Sequence, residues 1–347
     1  MNSMSNRSLY ANATSRYSLI LVFFSALLVF TGCDKVKERQ ARRMANKAVP
    51  AIKKGNYSYA KGVLEKAIKM NPNDANTHYL MAVVHNKQGA YDSSIKSYNR
   101  AIALSPEKTK YYIQAGDLCY KTAKFGKAAE YYEKAVKLKS DAISTLYHLS
   151  MAYHRSGKFA DSEKRFRDLI TKKLDKPMMI KAYYGLTMLY YDEAKKHTEP
   201  AQADHYFNKA IDTIKQANTR SLESPKLYNL LGLVYLAQKK YEIALRVFQR
   251  SLQVKKIANT YYHIGNTYDH WLKDILLKKK EERNRRKKKK LQEEAKKYWA
   301  KTMDAYKEFR LAANSNNPLR SSVNSQIKTL MEMNEVWKRN SKRRRRR

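Results

Sequence analysis

The sequence predicts an all-α chain assembled from tandem helix–turn–helix hairpins. Three observations carry this. Apolar residues recur at helical spacing from about residue 41 onward. Helix breakers are scarce, with 10 Gly and 7 Pro in 347 residues, while Ala, Lys, Leu and Tyr abound. The chain is also self-similar at a period of 34 residues, with four gapless segments beginning at Ala41, Ala75, Thr109 and Ile143.

The packing residues define the register. Small residues stand at the eighth position (Ala48, Ala82, Gly116, Ser150) and the twentieth (Ala60, Ser94, Ala128, Ser162). The twenty-seventh holds Ala67, Ala101, Ala135 and Leu169. Small side chains there let two antiparallel helices approach closely. Between the helices comes a turn at Gly55, Gly89, Ala123 and Gly157, where glycine tolerates positive φ. An aromatic follows two residues later (Tyr57, Tyr91, Phe125, Phe159), and a large residue fills Leu64, Tyr98, Tyr132 and Phe166. Pro72 and Pro106 end the second helix of the first two segments.

This combination of small, aromatic and proline positions resembles the tetratricopeptide repeat. The resemblance covers roughly residues 41–313 and implies a right-handed α-solenoid with a C-terminal capping helix. Four units in register occupy 41–176. A divergent unit occupies 177–218, with a longer turn at His197–Gln202 and a second helix carrying Ala203, Phe207 and Ala210. A regular unit returns at 225–258 with Gly232, Tyr241, Ala244 and Phe248. The last unit, 259–317, is interrupted by a basic insertion at 272–297, whose flanks are helix-prone enough to lengthen both of its helices. Residues 318–339 form the capping helix, with Leu319, Val323, Ile327, Leu330 and Trp337 on one stripe, and 340–347 a basic tail.

The N-terminus reads as a targeting segment, residues 1–32. Arg7 and Arg16 supply a positive region without acidic residues, and Leu19 to Phe30 is an apolar run broken only by Ser25. That run is short for a membrane span of about 20 residues. Phe30-Thr31-Gly32-Cys33 resembles the lipobox of bacterial lipoproteins, departing from it at Phe30, where Leu is usual. The resemblance implies cleavage before Cys33, its lipidation, and a linker at 33–40. It places the chain in the bacterial cell envelope, lipid-anchored to a membrane and facing the periplasm.

In the tetratricopeptide family, positions 5, 9 and 12 of each first helix line a groove that receives ligands. Carried over, these give Tyr79, Val83 and Asn86; Ile113, Asp117 and Tyr120; Tyr147, Met151 and His154; Tyr184, Met188 and Tyr191. Leu233 and Tyr262 continue the series in the later units. Aromatic and Met side chains with a few polar groups suit an extended or helical peptide.

The formal charge is +40, from 71 Lys and Arg against 31 Asp and Glu. It is densest at Lys278–Lys290, where ten of thirteen residues are basic, and at 338–347, where eight of ten are. Such patches call for an anionic neighbour. Three readings compete for them: first a solvated charged extension, then contact with anionic membrane lipids or other envelope polyanions, and last nucleic acid, since neither segment is interleaved with the aromatics that stack bases.

The sequence contains no H-E-x-x-H, no zinc-spaced Cys/His cluster, no P-loop and no nucleophile elbow. No enzyme activity, metal or cofactor is therefore expected, and Cys119 at a packing position reads as a small hydrophobe. The leading expectation is a membrane-anchored scaffold that binds envelope proteins through its concave groove. The alternative is a polyanion- or anionic-membrane-binding protein acting through its basic C-terminal region.

Overall fold

The computed structural model describes residues 35–139 and 142–345, with side chains through Arg339. The targeting segment and Cys33 lie outside the described residues. Those residues are helical and contain no strand. The chain divides into two compact units, one ending at Lys158 and the other beginning at Phe159.

The first unit holds α1 (35–53), α2 (Tyr57–Met70), α3 (Ala75–Lys87), α4 (Tyr91–Leu104), α5 (Thr109–Lys121), α6 (Phe125–Leu138) and α7 (Ile143–Arg155). α3, α5 and α7 start at the predicted 34-residue interval, as do α2, α4 and α6. Each helix packs on the next along the chain. Residues 35–40, read above as linker, are the first turns of α1.

The small-residue columns are the contact line. Ala48, Ala60, Ala82, Ser94, Ala101, Ala128 and Ala135 are fully buried. The buried Ser94 hydroxyl donates to the Ala82 carbonyl oxygen at 2.7 Å, so the polar atom in the seam has its hydrogen-bond partner. At Gly116 an added Cβ would lie 2.7 Å from Tyr132 Cε1, so the tyrosine ring occupies the room the missing side chain leaves.

Turns close by paired hydrogen bonds. The Ala90 N–H donates to the His85 carbonyl at 2.9 Å and the Gly89 N–H to Asn86 at 3.1 Å. The same two bonds recur as Lys124 to Cys119 and Ala123 to Tyr120. This is a Schellman closure and requires one left-handed residue. Gly55, Gly89 and Gly157 supply it freely at φ 78–79°, whereas Ala123 is forced to 58° at a cost of about 1–2 kcal/mol.

The second unit holds α8 (Phe159–Thr171), α9 (Lys176–Ala194), α10 (Pro200–Thr219), α11 (Pro225–Ala237), α12 (Tyr241–Val254), α13 (Ala258–Glu281), α14 (Arg285–Ala312) and α15 (Arg320–Arg345). Asp175 caps α9 by accepting from the Met178 N–H at 2.9 Å. Pro200 stands at the start of α10, so the second helix of the divergent unit begins within the stretch read above as turn. A proline is well placed there, since its missing N–H is one that the first helical turn leaves unpaired. The predicted insertion lengthens α13 and α14 into one antiparallel pair. α15 packs Val323 and Leu330 into the core and takes a 2.8 Å hydrogen bond from Trp299 Nε1 on the Leu330 carbonyl. Its helix continues through Arg345, into the segment read above as tail.

Glycine under an aromatic ring recurs here. An added Cβ would lie 2.3 Å from Phe248 at Gly232, 2.4 Å from Phe166 at Gly185, and 2.4 Å from Tyr306 at Gly265. Phe166, Phe248 and Tyr306 are fully buried and have nowhere to retreat. Gly62 in α2 has no atom within 4 Å of its virtual Cβ. Gly232→Ala should therefore destabilise by about 1–3 kcal/mol through overpacking, while Gly62→Ala should stabilise by about 0.5–1 kcal/mol. Urea titration of the two variants measures both signs.

His263 stacks on Phe248 at 5.5 Å, and burial holds its imidazole down at about 4. The folded state therefore resists a proton that the unfolded chain accepts near 6.5. Its contribution is whole above pH 6.5 and drains away as pH falls toward 4, on the order of 3 kcal/mol over that window. His263→Phe should flatten that part of the pH–stability curve, as followed by denaturant unfolding at about pH 7 and about pH 4.5.

Candidate functional site

In the first unit a cavity of about 270 Å³ opens beside α5 and α7, lined by Asp117, Tyr120, Lys121, Tyr132, Tyr147, His148 and Met151. α5 contributes Asp117, Tyr120 and Lys121, and α7 contributes Tyr147, His148 and Met151. Tyr132 reaches the wall from α6. Helical spacing turns Asp117 and Tyr120 to one face of α5, and Tyr147 and Met151 to one face of α7.

The polar centre of the wall is Asp117. The Tyr132 hydroxyl donates to its Oδ1 at 2.7 Å, and Gln114 Nε2 donates to its Oδ2 at 3.1 Å. Burial, then that bond to the carboxylate, pushes the Tyr132 hydroxyl far above the usual phenol range. Tyr120 stands edge-on to Phe125 at 5.2 Å, and its hydroxyl is pushed up by burial. The His148 ring lies 5.8 Å from Tyr132 and 5.9 Å from Tyr147. The result is an aromatic-walled recess around one anchored carboxylate; Lys121 also lines it, with its ammonium over the Tyr91 ring at 5.1 Å. The recess can bury an apolar or aromatic side chain and offers few, directed polar contacts.

Of the residues predicted from sequence, Asp117, Tyr120, Tyr147 and Met151 are brought together here. Val83 and Asn86 on α3, Ile113 on α5 and His154 on α7 are half-buried and do not line this cavity. Tyr79 is sequestered, only 8% exposed, with its ring stacked on Tyr111 at 5.1 Å and tilted against Tyr98 at 6.0 Å. These two rings, with the Lys110 ammonium over its own ring at 4.4 Å, leave Tyr79 as a core residue rather than a groove residue.

In the second unit, Tyr184, Met188 and Tyr191 lie half-buried on α9, Leu233 on α11 and Tyr262 on α13. Burial raises the Tyr184 and Tyr191 hydroxyls. Tyr191 sits 6.2 Å from Phe207, and Tyr262 sits 6.1 Å from Phe309.

Sequence reasoning missed Lys121, Tyr132 and His148 as lining residues. Tyr132 belonged to a packing column, yet a buried tyrosine needs a partner for its hydroxyl. Asp117, next to the glycine that admits the ring, was the available signal. Cys119 is buried, and burial pushes its thiol up, as suits an unreactive packing residue. Among the described residues no group of three or more His, Cys, Asp or Glu is placed to hold a metal ion, and no helix is long and apolar enough to cross a membrane.

Tetratricopeptide-repeat family models match residues 47–109, 109–141 and 226–259, so these segments are tetratricopeptide repeats. A TPR repeat-containing protein of Methanocaldococcus jannaschii is 23% identical over 210 residues, covering 60% of this chain and 36% of the relative. Hsp70-Hsp90 organizing protein 3 of Arabidopsis thaliana is 32% identical over 86 residues, covering 25% of this chain and 15% of the relative. The chain thus spans well under half the length of either. The crystal structure of a thermophilic TPR protein from Thermus thermophilus shares 15% identity at a TM-score of 0.47, covering 62% of this chain and 97% of that one. Tetratricopeptide-repeat proteins are protein-interaction scaffolds that bind protein or peptide partners.

Proposed function

We propose that this chain is a membrane-anchored adaptor that binds other cell-envelope proteins, taking a peptide segment of its partner along the first helices of its repeats. The observation that carries the reading is the cavity of Tyr120, Tyr147 and Met151 around Asp117. Its size suits one large side chain of a partner, and aromatic walls supply contact area at low entropic cost. The bonds from Tyr132 and Gln114 hold the Asp117 carboxylate in place before any partner arrives, which reduces what binding must order. The lipobox-like sequence ending at Cys33 supports the anchor, and the apolar run before it supports export to the envelope. Two or more acyl chains on a processed Cys33 would hold the chain on a membrane firmly.

A photo-crosslinking side chain at Tyr147 should trap a discrete partner in the native cell, while one at Tyr59, exposed on α2, should not. The triple change Tyr120→Ala, Tyr147→Ala, Met151→Ala should reduce partner affinity by at least about tenfold with helical circular dichroism retained. Equal trapping at both positions, or unchanged affinity, would remove the groove from the mechanism. For the anchor, Cys33→Ser should abolish incorporation of labelled fatty acid and block the cleavage before residue 33, so that the variant keeps its N-terminal apolar segment and migrates as the larger, unprocessed chain. Persistent acyl incorporation would place the lipid elsewhere.

A further inference from the structure

The basic segment is folded as the end of a long, tightly packed hairpin. α13 has 24 residues and α14 has 28, against 13 and 14 in α11 and α12. At 1.5 Å per residue the arms run at least about 16 Å longer than those of their neighbour. Side chains lock them along this extra length. Trp271 stacks on Tyr298 at 4.2 Å, Leu272, Ile275 and Ala295 are buried between the arms, and Leu276 and Leu291 pack against them. A short turn at 282–284 closes the end, where Asn284 Oδ1 accepts from the Arg286 N–H at 2.9 Å and the Lys287 N–H at 3.1 Å.

That turn brings two basic strings together, Lys278 to Lys280 and Arg285 to Lys290. Arg285, Arg286, Lys287, Lys289 and Lys290 are exposed, and among the described residues none of them forms an ion pair. Six cations therefore open α14 at the end where the helix dipole is already positive, with no acidic residue in the first turn. The arrangement is unfavourable in isolation and favourable against an anionic surface. Leu277, 55% exposed, stands beside Lys278. An apolar side chain among lysines suits the bilayer boundary, where lysine stems lie along apolar surface and ammonium heads reach phosphates. Residues 278–290 contain no Tyr, Trp, Phe or His on which bases could stack.

We propose that the end of the α13–α14 hairpin docks on an anionic phospholipid bilayer, with Leu277 at the level of the headgroups. The inference draws on the Cys33 anchor only for the nearness of a membrane; the contact itself stands on the hairpin. The test uses the chain as the proposed cleavage leaves it, residues 33–347, with Cys33→Ser to remove the acyl site and Leu277→Cys labelled with an environment-sensitive fluorophore. Cys119 is buried and stays unlabelled. Vesicles of phosphatidylcholine with phosphatidylglycerol should blue-shift the probe, phosphatidylcholine alone should not, and high salt should reverse the shift. Combining Arg285→Glu, Arg286→Glu, Lys287→Glu and Lys289→Glu should weaken vesicle binding by at least about a hundredfold. A set of Gln replacements at the same positions, checked by circular dichroism, should weaken it in the same direction. Equal shifts on both vesicle types, indifference to the charge changes, or stronger binding to single-stranded RNA at matched phosphate concentration would overturn the proposal. Loss of Cys33 acylation in cells leaves this result unaffected, so the two readings fail separately.

Discussion

A small residue beneath a large ring is the contact on which both units depend. Gly116 admits Tyr132, Gly232 admits Phe248 and Gly265 admits Tyr306, each within a distance that a single methyl group would violate. The contact sets how closely two helices of a hairpin approach, and hence where the other face of the first helix lies. At Gly116 it also reaches the candidate site. The ring it admits carries the hydroxyl that holds Asp117, so helix packing and the polar centre of the cavity share one side chain. A change at Gly116 would be felt as a misplaced carboxylate as much as a loss of stability.

Much of the fold was legible because the repeat imposes its own punctuation. The helix starts at Ala75, Tyr91, Thr109, Phe125 and Ile143 follow from aligned small, aromatic and turn residues. Legibility failed where the local code is degenerate. Lys239 adopts the left-handed turn conformation at φ 57° with nothing in its side chain to announce it. Hydrogen bonds from the Lys240 and Lys239 N–H groups to Tyr235 and Leu236 impose that geometry. The first turns of α1 and the end of α15 lie in polar sequence where periodicity is faint, so helix boundaries there escaped a reading based on apolar spacing.

The site was legible in part, for a related reason. Position in the repeat tells which way a side chain leaves its helix, and this brought Tyr120, Tyr147 and Met151 together. It does not tell how many neighbours wait there. Tyr79 leaves α3 in the equivalent direction but meets Tyr98 and Tyr111, and so becomes core. Tyr132 starts from a packing column and ends on the cavity wall because its ring is long enough to carry a hydroxyl through the seam. Aromatic length and the company it meets are tertiary properties, and a periodic pattern does not encode them.

The α13–α14 hairpin has a geometric consequence of its own. Its arms are antiparallel and joined by a short turn, so residues inserted in equal number on both arms lengthen it without disturbing its base. About seven residues per arm would advance the end by about 10 Å and return each helix nearly to the same face. The hairpin is thus an adjustable spacer, with arm length setting the distance between its charged end and the repeats that carry it.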